Sequence, residues 1–323
     1  MRLPMPEQPL VSVVTPSFNQ APFLEETMRS VLDQDYPRIE YIVVDGGSTD
    51  GSVDIIRRYA DRLAYWVSEK DRGQADAINK GWSRVTGDIV AFLNSDDYYL
   101  PGAIPRVVEA FRQRPDAGVV YGQAQWVSET GVPEQVSRVY VDGQEMLDTF
   151  PGLPQPATFV RRAVLEKVGL LDPSFHFALD GEFFVRAVGN FPAVPLPDVL
   201  ACMRLHGAAK SVSAGLGFAP EVLRIAEKVI ADPARYPRYR VVPDDVRAGA
   251  HVVSAKFTYM GGHFREALGH LRKSAALSPK YRGQILRHEL PRLLVRGLLG
   301  KDAYARTSAG FRRSATPPVE RQG

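Results

Sequence analysis

The chain has 323 residues, of which 45% are hydrophobic and 24% are charged. This balance is typical of globular proteins, and it excludes a wholly disordered chain and a fibrous or collagen-like repeat. At about 150 residues per domain, the length predicts roughly two folding units. The single cysteine, Cys202, excludes an internal disulfide framework and a cysteine-rich zinc module, and it is compatible with a reducing compartment.

The sequence contains no segment that predicts export or membrane insertion. Residues Met1–Pro9 hold three prolines and no apolar core of a signal peptide. No uninterrupted apolar run approaches the length of about 18 residues that spans a bilayer. We therefore expect a soluble protein of the cytoplasm.

The first hundred residues alternate between strand and helix patterns. Short β-branched apolar runs predict buried strands, and apolar residues at helical spacing predict the helices between them. Strands that alternate with helices imply right-handed crossovers and a largely parallel sheet covered on both faces. The predicted strands are Leu10–Thr15, Tyr41–Val44, Ala64–Val67 and Ile89–Leu93, and the predicted helices lie within 22–32, 53–59 and 74–85.

The second half of the chain has a more mixed pattern that becomes helical beyond Gly217. Short strands are predicted at Val119–Tyr121 and Val199–Met203, and helices near Arg161–Val168 and Asp180–Val188. This part of the sequence therefore adds strands and helices to the first sheet and then changes to an all-helical extension.

The helical extension contains one hairpin of the tetratricopeptide kind, Ala255–Ser278, which turns at Gly261–Gly262. A single hairpin is not an array, because about three repeats are needed for a stable stack. Gln284–Leu299 is basic and amphipathic and is interrupted by Pro291. From Thr307 onwards we expect a flexible tail.

Charge divides the chain into two unlike parts, although its net charge is only +3. From Glu221 to the end there are 20 Lys and Arg against 9 Asp and Glu, and the preceding residues hold 20 against 28. An acidic part suits a metal site. A basic part can contact anionic lipid, nucleic acid or another subunit, or it can simply keep an exposed helical region soluble.

Polar loops follow the four predicted strands. Ligands bind beyond the carboxyl ends of the strands in such sheets, so these loops together predict one binding site. The loops are Thr15–Asn19, Asp45–Asp50, Glu69–Asp76 and Asn94–Asp97.

Two adjacent carboxylates, Asp96 and Asp97, follow the fourth strand. They repel each other unless a cation lies near them. Hard oxygen ligands of this kind suit Mg²⁺ or Mn²⁺, usually shared with substrate phosphates and water. The structural alternative is that Asp96 caps the turn before Tyr98 while Asp97 is solvated.

Two common nucleotide-binding folds are disfavoured by the loops. A Rossmann dinucleotide fold requires G-x-G-x-x-G after its first strand, where this chain has Pro16–Asn19. Gly46 and Gly47 follow the second strand and do not match that spacing, and no P-loop motif occurs. Asp45, at the end of the second strand, can accept hydrogen bonds from a base or a ribose.

The chain resembles the family 2 glycosyltransferases in four segments that occur in the family's order. Each segment alone is weakly specific, and the combination is highly specific. The resemblance runs from about Pro9 to His206. The segments are VSVVTPSFNQ (Val11–Gln20), EYIVVDGGSTDGS (Glu40–Ser52), DRGQADAINKG (Asp71–Gly81) and GDIVAFLNSDDYYLPGA (Gly87–Ala103).

The resemblance implies an α/β fold of the GT-A type, in which flanking helices cover a Rossmann-like, mostly parallel sheet. We expect this catalytic domain in residues 1–216, with a nucleotide half at about 9–103 and an acceptor half at about 104–216. A basic helical extension, 217–306, and a flexible tail, 307–323, would follow.

The resemblance also implies where a nucleotide sugar binds. Phe18 would stack on uracil or thymine, where relatives often carry tyrosine, and Asp45 would hydrogen-bond the base or ribose. Asn94 stands where many relatives have the first aspartate of a D-x-D-like motif. The residues implied at this site are Thr15, Pro16, Phe18, Asn19, Asp45, Gly47, Asp76, Asn79, Ser95 and Asp96.

A divalent metal, Mn²⁺ or Mg²⁺, is implied at the end of the fourth strand. Asp97 is the implied metal ligand, with Asp96 near the ribose or donor sugar. His206 matches a segment in which some relatives supply a late metal or diphosphate contact. A single histidine is more often structural.

A general base is implied in the acceptor half. Relatives carry an acidic motif, E-D-x-D, at a helix start, and Asp180 and Glu182 correspond to it with Leu179 in place of the usual glutamate. Asp180 is the predicted base, which would take the proton of an acceptor hydroxyl, and Glu182 is the reserve candidate. A helix N-cap is the structural alternative for Asp180.

The predicted function is an inverting glycosyltransferase that moves a sugar from a UDP- or dTDP-sugar to an acceptor hydroxyl. We expect a glycan or lipid-linked acceptor in polysaccharide assembly, and no nucleic-acid partner. The basic helices could contact anionic lipid at the inner face of the membrane.

Two other functions compete with this prediction. A nucleotidyltransferase requires a glycine-rich, lysine-containing loop after the first strand, which Pro16–Asn19 is not. A catalytically inactive GT-A scaffold would instead bind a partner or membrane through the basic helical tail.

Overall fold

The computed structural model describes residues 5–137, 143–149, 152–207 and 215–294. These residues build one mixed sheet with helices on both faces. The strands are β1 (Val11–Ser17), β2 (Ile39–Asp45), β3 (Tyr65–Ser68), β4 (Ile89–Phe92), β5 (Tyr98–Tyr99), β6 (Val119–Ser128), β7 (Pro133–Ser137), β8 (Thr158–Arg161) and β9 (Ala193–Leu205).

Helices connect and extend the strands. Three short 3₁₀ turns occur among the described residues, at Ala60–Arg62, Gln155–Ala157 and Pro233–Arg235. The α-helices are α1 (Ala21–Leu32), α2 (Ser52–Arg58), α3 (Gln74–Trp82), α4 (Ala103–Gln113), α5 (Gly143–Thr149), α6 (Arg162–Val168), α7 (Leu179–Asn190), α8 (Gly215–Ala231), α9 (Pro243–Met260), α10 (Phe264–Leu277) and α11 (Pro279–Gln284), with a π-helical turn at Ile285–Glu289.

The strand order in the sheet is β3-β2-β1-β4-β8-β6-β9-β5, and β7 pairs with β6 outside this path. The first four strands are parallel, as predicted. Strand β8 is antiparallel to both β4 and β6, and β9 is parallel to β6 and antiparallel to β5, so the second half of the sheet is mixed. The reason is local, because β8 starts from the turn at Gln155, whose side chain is bonded to the Phe92 carbonyl at the carboxyl end of β4.

The first strands are buried on both faces, which explains their continuous apolar runs. Every residue of β1 is buried. Val11 and Val13 belong to the core beneath α1 and α4, whereas Val14 belongs to the core beneath α3 and α7. Strand β1 therefore contributes side chains to the hydrophobic cores on both faces of the sheet.

Helices α8 and α9 share the core of the sheet. Val222 and Ile225 of α8 and Val246 and Val253 of α9 belong to the same buried cluster as Val14 of β1. The boundary predicted at residue 216 therefore does not separate two hydrophobic cores. The amino-acid composition changes near residue 216, but residues before and after it pack into the same core.

The predicted hairpin is present, with α9 and α10 joined at Gly261–Gly262. Its first helix begins at Pro243, twelve residues before the predicted start. Helices α9 to α11 also form a small core of their own, which includes Leu271 and Tyr281. The basic segment is helical as far as residue 294, and the rest of that segment and the predicted tail lie outside the described residues.

None of the helices in the described ranges combines the length and apolar character needed to cross a bilayer.

Two histidines face each other inside the hairpin. The Nδ1 atoms of His251 on α9 and His270 on α10 are 2.9 Å apart. Burial lowers the pKa of His251 to about 4, and the nearby charges of His270 and Lys273 act in the same direction. The charge of Glu227 opposes this shift. Burial and Lys273 also lower the pKa of His270.

We expect the free energy of unfolding to decrease as the pH falls from about 6.5 towards 4. The unfolded chain binds protons at these two positions in this range, while the folded hairpin resists them. Both rings are partly solvated, so the decrease should be on the order of 1 kcal/mol. Urea denaturation at several pH values measures it, and His251→Gln should remove most of the dependence. An unchanged slope in that variant would contradict this assignment.

Candidate active site

The pairing of β5 with β9 assembles the centre of the site. Tyr98 lies opposite Cys202 and Tyr99 opposite Ala201 in this antiparallel pair. Residues that precede β5 therefore meet residues that follow Cys202. This register brings Asp96 and Asp97 to the last residues of β9.

Asp97 is an internal anchor. Its side chain is buried, and its Oδ1 accepts a hydrogen bond of 3.0 Å from the backbone N–H of Arg204. Burial, reinforced by the charge of Asp96, raises the pKa of Asp97 well above its ordinary value. The structure thus gives the predicted metal ligand a role in joining two elements, because its carboxylate faces the protein interior.

Asp96 is the carboxylate that meets His206. Asp96 Oδ2 and His206 Nε2 are 2.9 Å apart, and the Asp96 side chain retains 19% exposure against 5% for His206. The ring of His206 also packs on Phe23, with centroids 4.8 Å apart. His206 therefore joins the site as predicted, but its carboxylate neighbour is Asp96 rather than Asp97.

The chemistry of this pair fits a divalent cation. A carboxylate oxygen suits Mg²⁺ or Mn²⁺, and an imidazole nitrogen is also a common ligand of transition metals. No group of three or more His, Cys, Asp or Glu that could hold a metal occurs within the described ranges. A cation at Asp96 and His206 would therefore need further ligands from a substrate or from water.

Asn94 is held in a chain of amides. Its Oδ1 accepts from Gln74 Nε2 at 2.7 Å, and its Nδ2 donates to Gln155 Oε1 at 3.0 Å. The same Nδ2 lies 3.4 Å from Asp97 Oδ2. Besides Asp96, an aspartate here would place a further carboxylate against Asp97, and it would lose the donor to Gln155, which explains why an amide occupies the position.

Arg204 connects the segments that form this centre. It was not selected from the sequence. Its Nε donates to the Asp96 carbonyl at 3.2 Å, and it forms an ion pair with Glu26 on α1. Its guanidinium also lies 5.0 Å from the centroid of the Phe23 ring. The buried Arg204 thus connects β9, α1 and the Asp96–Asp97 loop.

Asp45 organises the loop after β2. Its carboxylate is fully buried and accepts from the N–H groups of Gly47 and Ser48, from the Ser48 hydroxyl, and from the Ser68 hydroxyl at 2.7 Å. Direct contact with a base or ribose, which the resemblance implied, does not agree with this enclosed geometry. Gly47 follows in the left-handed region with φ 83°, where glycine is favoured.

The loop after β1 is fastened to the same segment. Asn19 accepts from the Thr49 N–H at 3.0 Å, and its own N–H donates to the Ser48 hydroxyl. Thr15 is buried with its hydroxyl 2.9 Å from that of Tyr41, and Pro16 is buried in β1. Thr15 and Pro16 therefore support the predicted site from beneath instead of lining it with exposed side chains.

Phe18 and Asp71 flank the backbone of Gly46 in an open position. The Phe18 ring is 60% exposed. A Cβ added to Gly46 would lie 2.6 Å from Asp71 Oδ2 and 3.3 Å from the Phe18 ring. Asp71 was not selected from the sequence, and its position in the polar loop after β3 was the available signal.

Helix α3 supplies two predicted residues that are already paired. Asp76 forms ion pairs with Arg72 and Lys80, and the hydrogen bond from Arg72 is the main cause that lowers the pKa of Asp76. Asn79 exchanges two hydrogen bonds with the backbone of Leu171, at 2.9 and 3.0 Å. Asn79 therefore joins α3 to the acceptor half of the chain. Ser95 is buried, and its carbonyl accepts from Thr27.

Asp180 and Glu182 differ sharply in their surroundings. Asp180 is half-buried in the first turn of α7, where its Oδ1 accepts from the Gly181 N–H. Ala178, not Asp180, is the N-cap residue. Glu182 is buried and forms ion pairs with Arg186 at 2.7 Å and Lys228 at 2.6 Å. These ion pairs enclose the carboxylate of Glu182, the reserve candidate for the base, and give Glu182 a structural role.

The N-terminus of α7 faces the carboxyl edge of the sheet. Strands β4 and β6 run in the same direction, since each is antiparallel to β8. The C-terminus of α7 meets the start of β6, where Gly118 and Val119 donate to the Pro192 carbonyl. A helix of 12 residues extends about 18 Å, so Asp180 is directed towards the edge that carries Asp96.

Replacement of Asn94 by aspartate should lower the free energy of unfolding by about 1–3 kcal/mol, because Gln155 loses its donor and Asp97 gains a carboxylate neighbour. Chemical denaturation measures the loss. In the double variant Asn94→Asp/Asp97→Asn the repulsion is gone, so the two losses should be less than additive. Strict additivity would show that Asn94 and Asp97 are not coupled.

Comparison with known proteins agrees with this architecture. The sequence profile described as Glycosyl transferase family 2 matches residues 12–178, more than half of the chain. An uncharacterised glycosyltransferase of Mycobacterium tuberculosis is 34% identical over 190 residues, which are 57% of this chain and 70% of that protein. A putative teichuronic acid biosynthesis glycosyltransferase of Bacillus subtilis, TuaG, is 42% identical over 110 residues, 33% of this chain and 44% of TuaG.

Solved structures share the fold at low identity. Residues 1–349 of S. aureus TarS in complex with UDP give a TM-score of 0.63 at 18% identity, with 96% of this chain and 94% of that chain covered. The mannosyltransferase PcManGT of Pyrobaculum calidifontis, in complex with GDP-Man and Mn²⁺, gives 0.59 at 22% identity, with 97% and 90% covered. The expected GT-A-type α/β fold with a helical C-terminal region is confirmed, and the chain belongs to glycosyltransferase family 2.

Proposed function

We propose that this glycosyltransferase takes a UDP- or dTDP-sugar as donor and transfers the sugar with inversion to an acceptor hydroxyl. The observation that carries the proposal is the arrangement at the ends of neighbouring strands. An exposed aromatic ring and a carboxylate, Phe18 and Asp71, follow β1 and β3, and the Asp96–His206 pair follows β4. Relatives of the same fold have been solved with UDP, UDP-GlcNAc and GDP-Man.

Each part of this arrangement suits one part of a nucleotide sugar. The Phe18 ring offers a face on which a pyrimidine can stack. The Asp71 carboxylate can accept a hydrogen bond from the imide N–H of uracil or thymine. The Asp96–His206 pair would hold Mn²⁺ or Mg²⁺, which stabilises negative charge on a departing diphosphate.

Asp180 is the proposed general base. From the first turn of α7 it would receive the proton of the acceptor hydroxyl while that oxygen attacks the anomeric carbon from the face opposite the nucleotide. The attacking oxygen forms the new glycosidic bond, the bond to the diphosphate breaks, and the configuration inverts. A positioned general base contributes about 10²–10⁴-fold in rate.

A thermal-shift panel tests the donor. UDP, dTDP, GDP and CMP would each be added with Mn²⁺, Mg²⁺ or EDTA, and UDP or dTDP should stabilise the protein in a metal-dependent way. A ligand at about 100 times its dissociation constant contributes about 2.7 kcal/mol. Asp71→Asn should weaken nucleotide binding by about tenfold, because a bond to a charged group is lost. Asp96→Asn should remove the metal dependence.

The matched control is Asp54→Asn, an exposed carboxylate of α2 that is paired with Arg57. It should leave every nucleotide shift unchanged. Absence of any nucleotide response from the unaltered chain would refute the donor assignment and favour the scaffold that binds a partner through its helical tail. A response to GDP alone would replace the pyrimidine donor with a purine one.

We also propose a surface polysaccharide or lipid-linked glycan as acceptor, reached at an anionic membrane. The similarity to TuaG, which is named for teichuronic acid biosynthesis, supports a polysaccharide. Residues 260–294 hold seven Lys and Arg against two acidic residues. One of these two, Glu289, is buried and forms ion pairs with Lys256 at 3.5 Å and with Arg292 at 3.7 Å, so among the surface arginines it offsets only the charge of Arg292.

An exposed basic and apolar face supports the membrane contact. Leu286 and Leu294 are 65% and 54% exposed, and exposed arginines lie beside them at positions 282, 287 and 292. Such a face can insert its leucines at the lipid boundary while the arginines meet anionic headgroups. We name residues 282, 286, 287, 292 and 294 the basic-leucine face.

Co-sedimentation of the full chain with phosphatidylglycerol vesicles tests this face, with phosphatidylcholine vesicles for comparison. Leu286→Ser/Arg287→Glu should weaken binding by about tenfold or more, since each basic residue near the surface contributes about 1 kcal/mol. Arg57→Glu on the distant helix α2 is the control for charge reversal. Equal binding by both variants, or equal binding to both lipids, would exclude the contact.

A further inference from the structure

The loop of residues 172–178, which leads into α7, is bound by a carboxylate from the helical extension. Glu221 of α8 accepts hydrogen bonds from three consecutive backbone N–H groups, those of His176, Phe177 and Ala178, at 2.8, 2.9 and 2.7 Å. Its residue exposure is only 9%. Hydrogen bonds to an ionised acceptor in such a site are roughly twice as strong as neutral ones.

Two further residues on the same face of α8 hold this loop. Arg224 donates to the Ser174 carbonyl at 2.8 Å, and its guanidinium lies 3.6 Å from the centroid of the Phe175 ring. Lys228 forms ion pairs with Asp172 at 3.0 Å and with Glu182 at 2.6 Å. Positions 221, 224 and 228 follow the helical spacing that aligns side chains along one face.

The start of α8 approaches the same loop closely. A Cβ on Gly217 would lie 2.4 Å from the Phe177 ring, so glycine is required for this contact. The Phe177 ring in turn packs against Phe218, which stacks on Phe257 of α9. The loop is therefore fixed by polar contacts on one side and by aromatic packing on the other.

These contacts end at the start of α7, next to Asp180, the proposed general base. Ala178, the last residue bound by Glu221, is the N-cap of α7, and Asp180 is the second residue of that helix. The N-cap residue makes no side-chain cap hydrogen bond, and Glu221 supplies from α8 an acceptor for the N–H of this residue, Ala178. Both oxygens of Glu221 are occupied by the loop, which excludes a direct role in proton transfer.

We propose that Glu221 is a positioning residue for Asp180 and that α8 thereby forms part of the catalytic apparatus. The inference rests on the proposed function, in which Asp180 is the general base. A displacement of about 1 Å at a reacting group can reduce the rate by about 100-fold. Fixing three N–H groups next to the helix start prevents such a displacement.

Hydrolysis of the nucleotide sugar, with water in place of the unidentified acceptor, provides the test. Release of nucleoside diphosphate from UDP-glucose, UDP-GlcNAc or a dTDP-sugar gives kcat and the donor KM for the full chain. Glu221→Gln should lower kcat by about 10-fold to 100-fold, because the amide nitrogen repels at least one N–H of the loop. The donor KM and the UDP thermal shift should not change, since the proposed donor contacts follow β1, β3, β4 and β9, whereas Glu221 bonds to the loop of residues 172–178.

Two variants accompany this one. Glu227→Gln, on the exposed side of the same helix and paired with Arg247, is the matched control and should retain kcat. Arg224→Ala removes only an exposed side chain that holds the Ser174 carbonyl and the Phe175 ring. It should lower kcat a few-fold without unfolding the protein, so the proposal remains testable if Glu221→Gln is unstable.

The outcomes separate the inference from the function on which it rests. Asp180→Asn should lower kcat by about 100-fold or more. If it does so while Glu221→Gln and Arg224→Ala keep wild-type kcat, only the positioning role is overturned. Equal losses in kcat and in donor affinity would show a merely structural role and overturn it too. If Asp180→Asn is fully active, or no donor is hydrolysed, the proposed base and the positioning role are both overturned.

Discussion

The antiparallel pairing of β5 with β9 is the constraint on which the candidate site depends. Strand β5 has only two residues, Tyr98 and Tyr99, yet its register places Asp96 at His206 and Asp97 at the backbone of Arg204. These partners are 107 to 110 positions apart in the sequence. A slip of one residue would turn every side chain of the pair to the opposite face of the sheet. The long strand β9 therefore connects the acceptor half of the chain to the nucleotide half.

The same pairing buries the Asp97 carboxylate close to that of Asp96, and neighbouring residues reduce the electrostatic cost. Asp97 is buried beside a second carboxylate, and burial without partners would strongly disfavour its charge. The Arg204 N–H bonds to it, and the amide of Asn94 stands where a further negative charge would lie. Asn94 also joins Gln74 to Gln155. The identity of Asn94 thus follows from the geometry, and Asp96 remains the more exposed of the two carboxylates.

The sequence allowed the first four strands and the ends of those strands to be predicted, because buried parallel strands have continuous β-branched runs. It did not reveal which strand-end side chains point inward. Asp45 ends β2 and Asn79 lies on α3, and their side chains form hydrogen bonds with backbone groups of Gly47 and Leu171. Asp71 was not selected, although it lies in the polar loop after β3, because the sequence does not show that it is the residue beside Phe18. Such choices depend on contacts between segments that are distant in sequence.

Composition marked where the chain becomes helical and basic, but it did not show that this segment shares the core of the sheet. The change to basic, helical sequence after residue 216 is real, but α8 packs into the core of the sheet, and its Glu221 binds the loop before α7. The family match ends at Ala178, the last of the three residues that this carboxylate holds. Asp96 and His206 are held together by the pairing of β5 with β9, and the start of α7 is held by α8; both β9 and α8 lie beyond the matched region. Both β9 and α8 therefore contribute to the candidate site from outside the family match, and α8 does so while it packs into the core of the sheet.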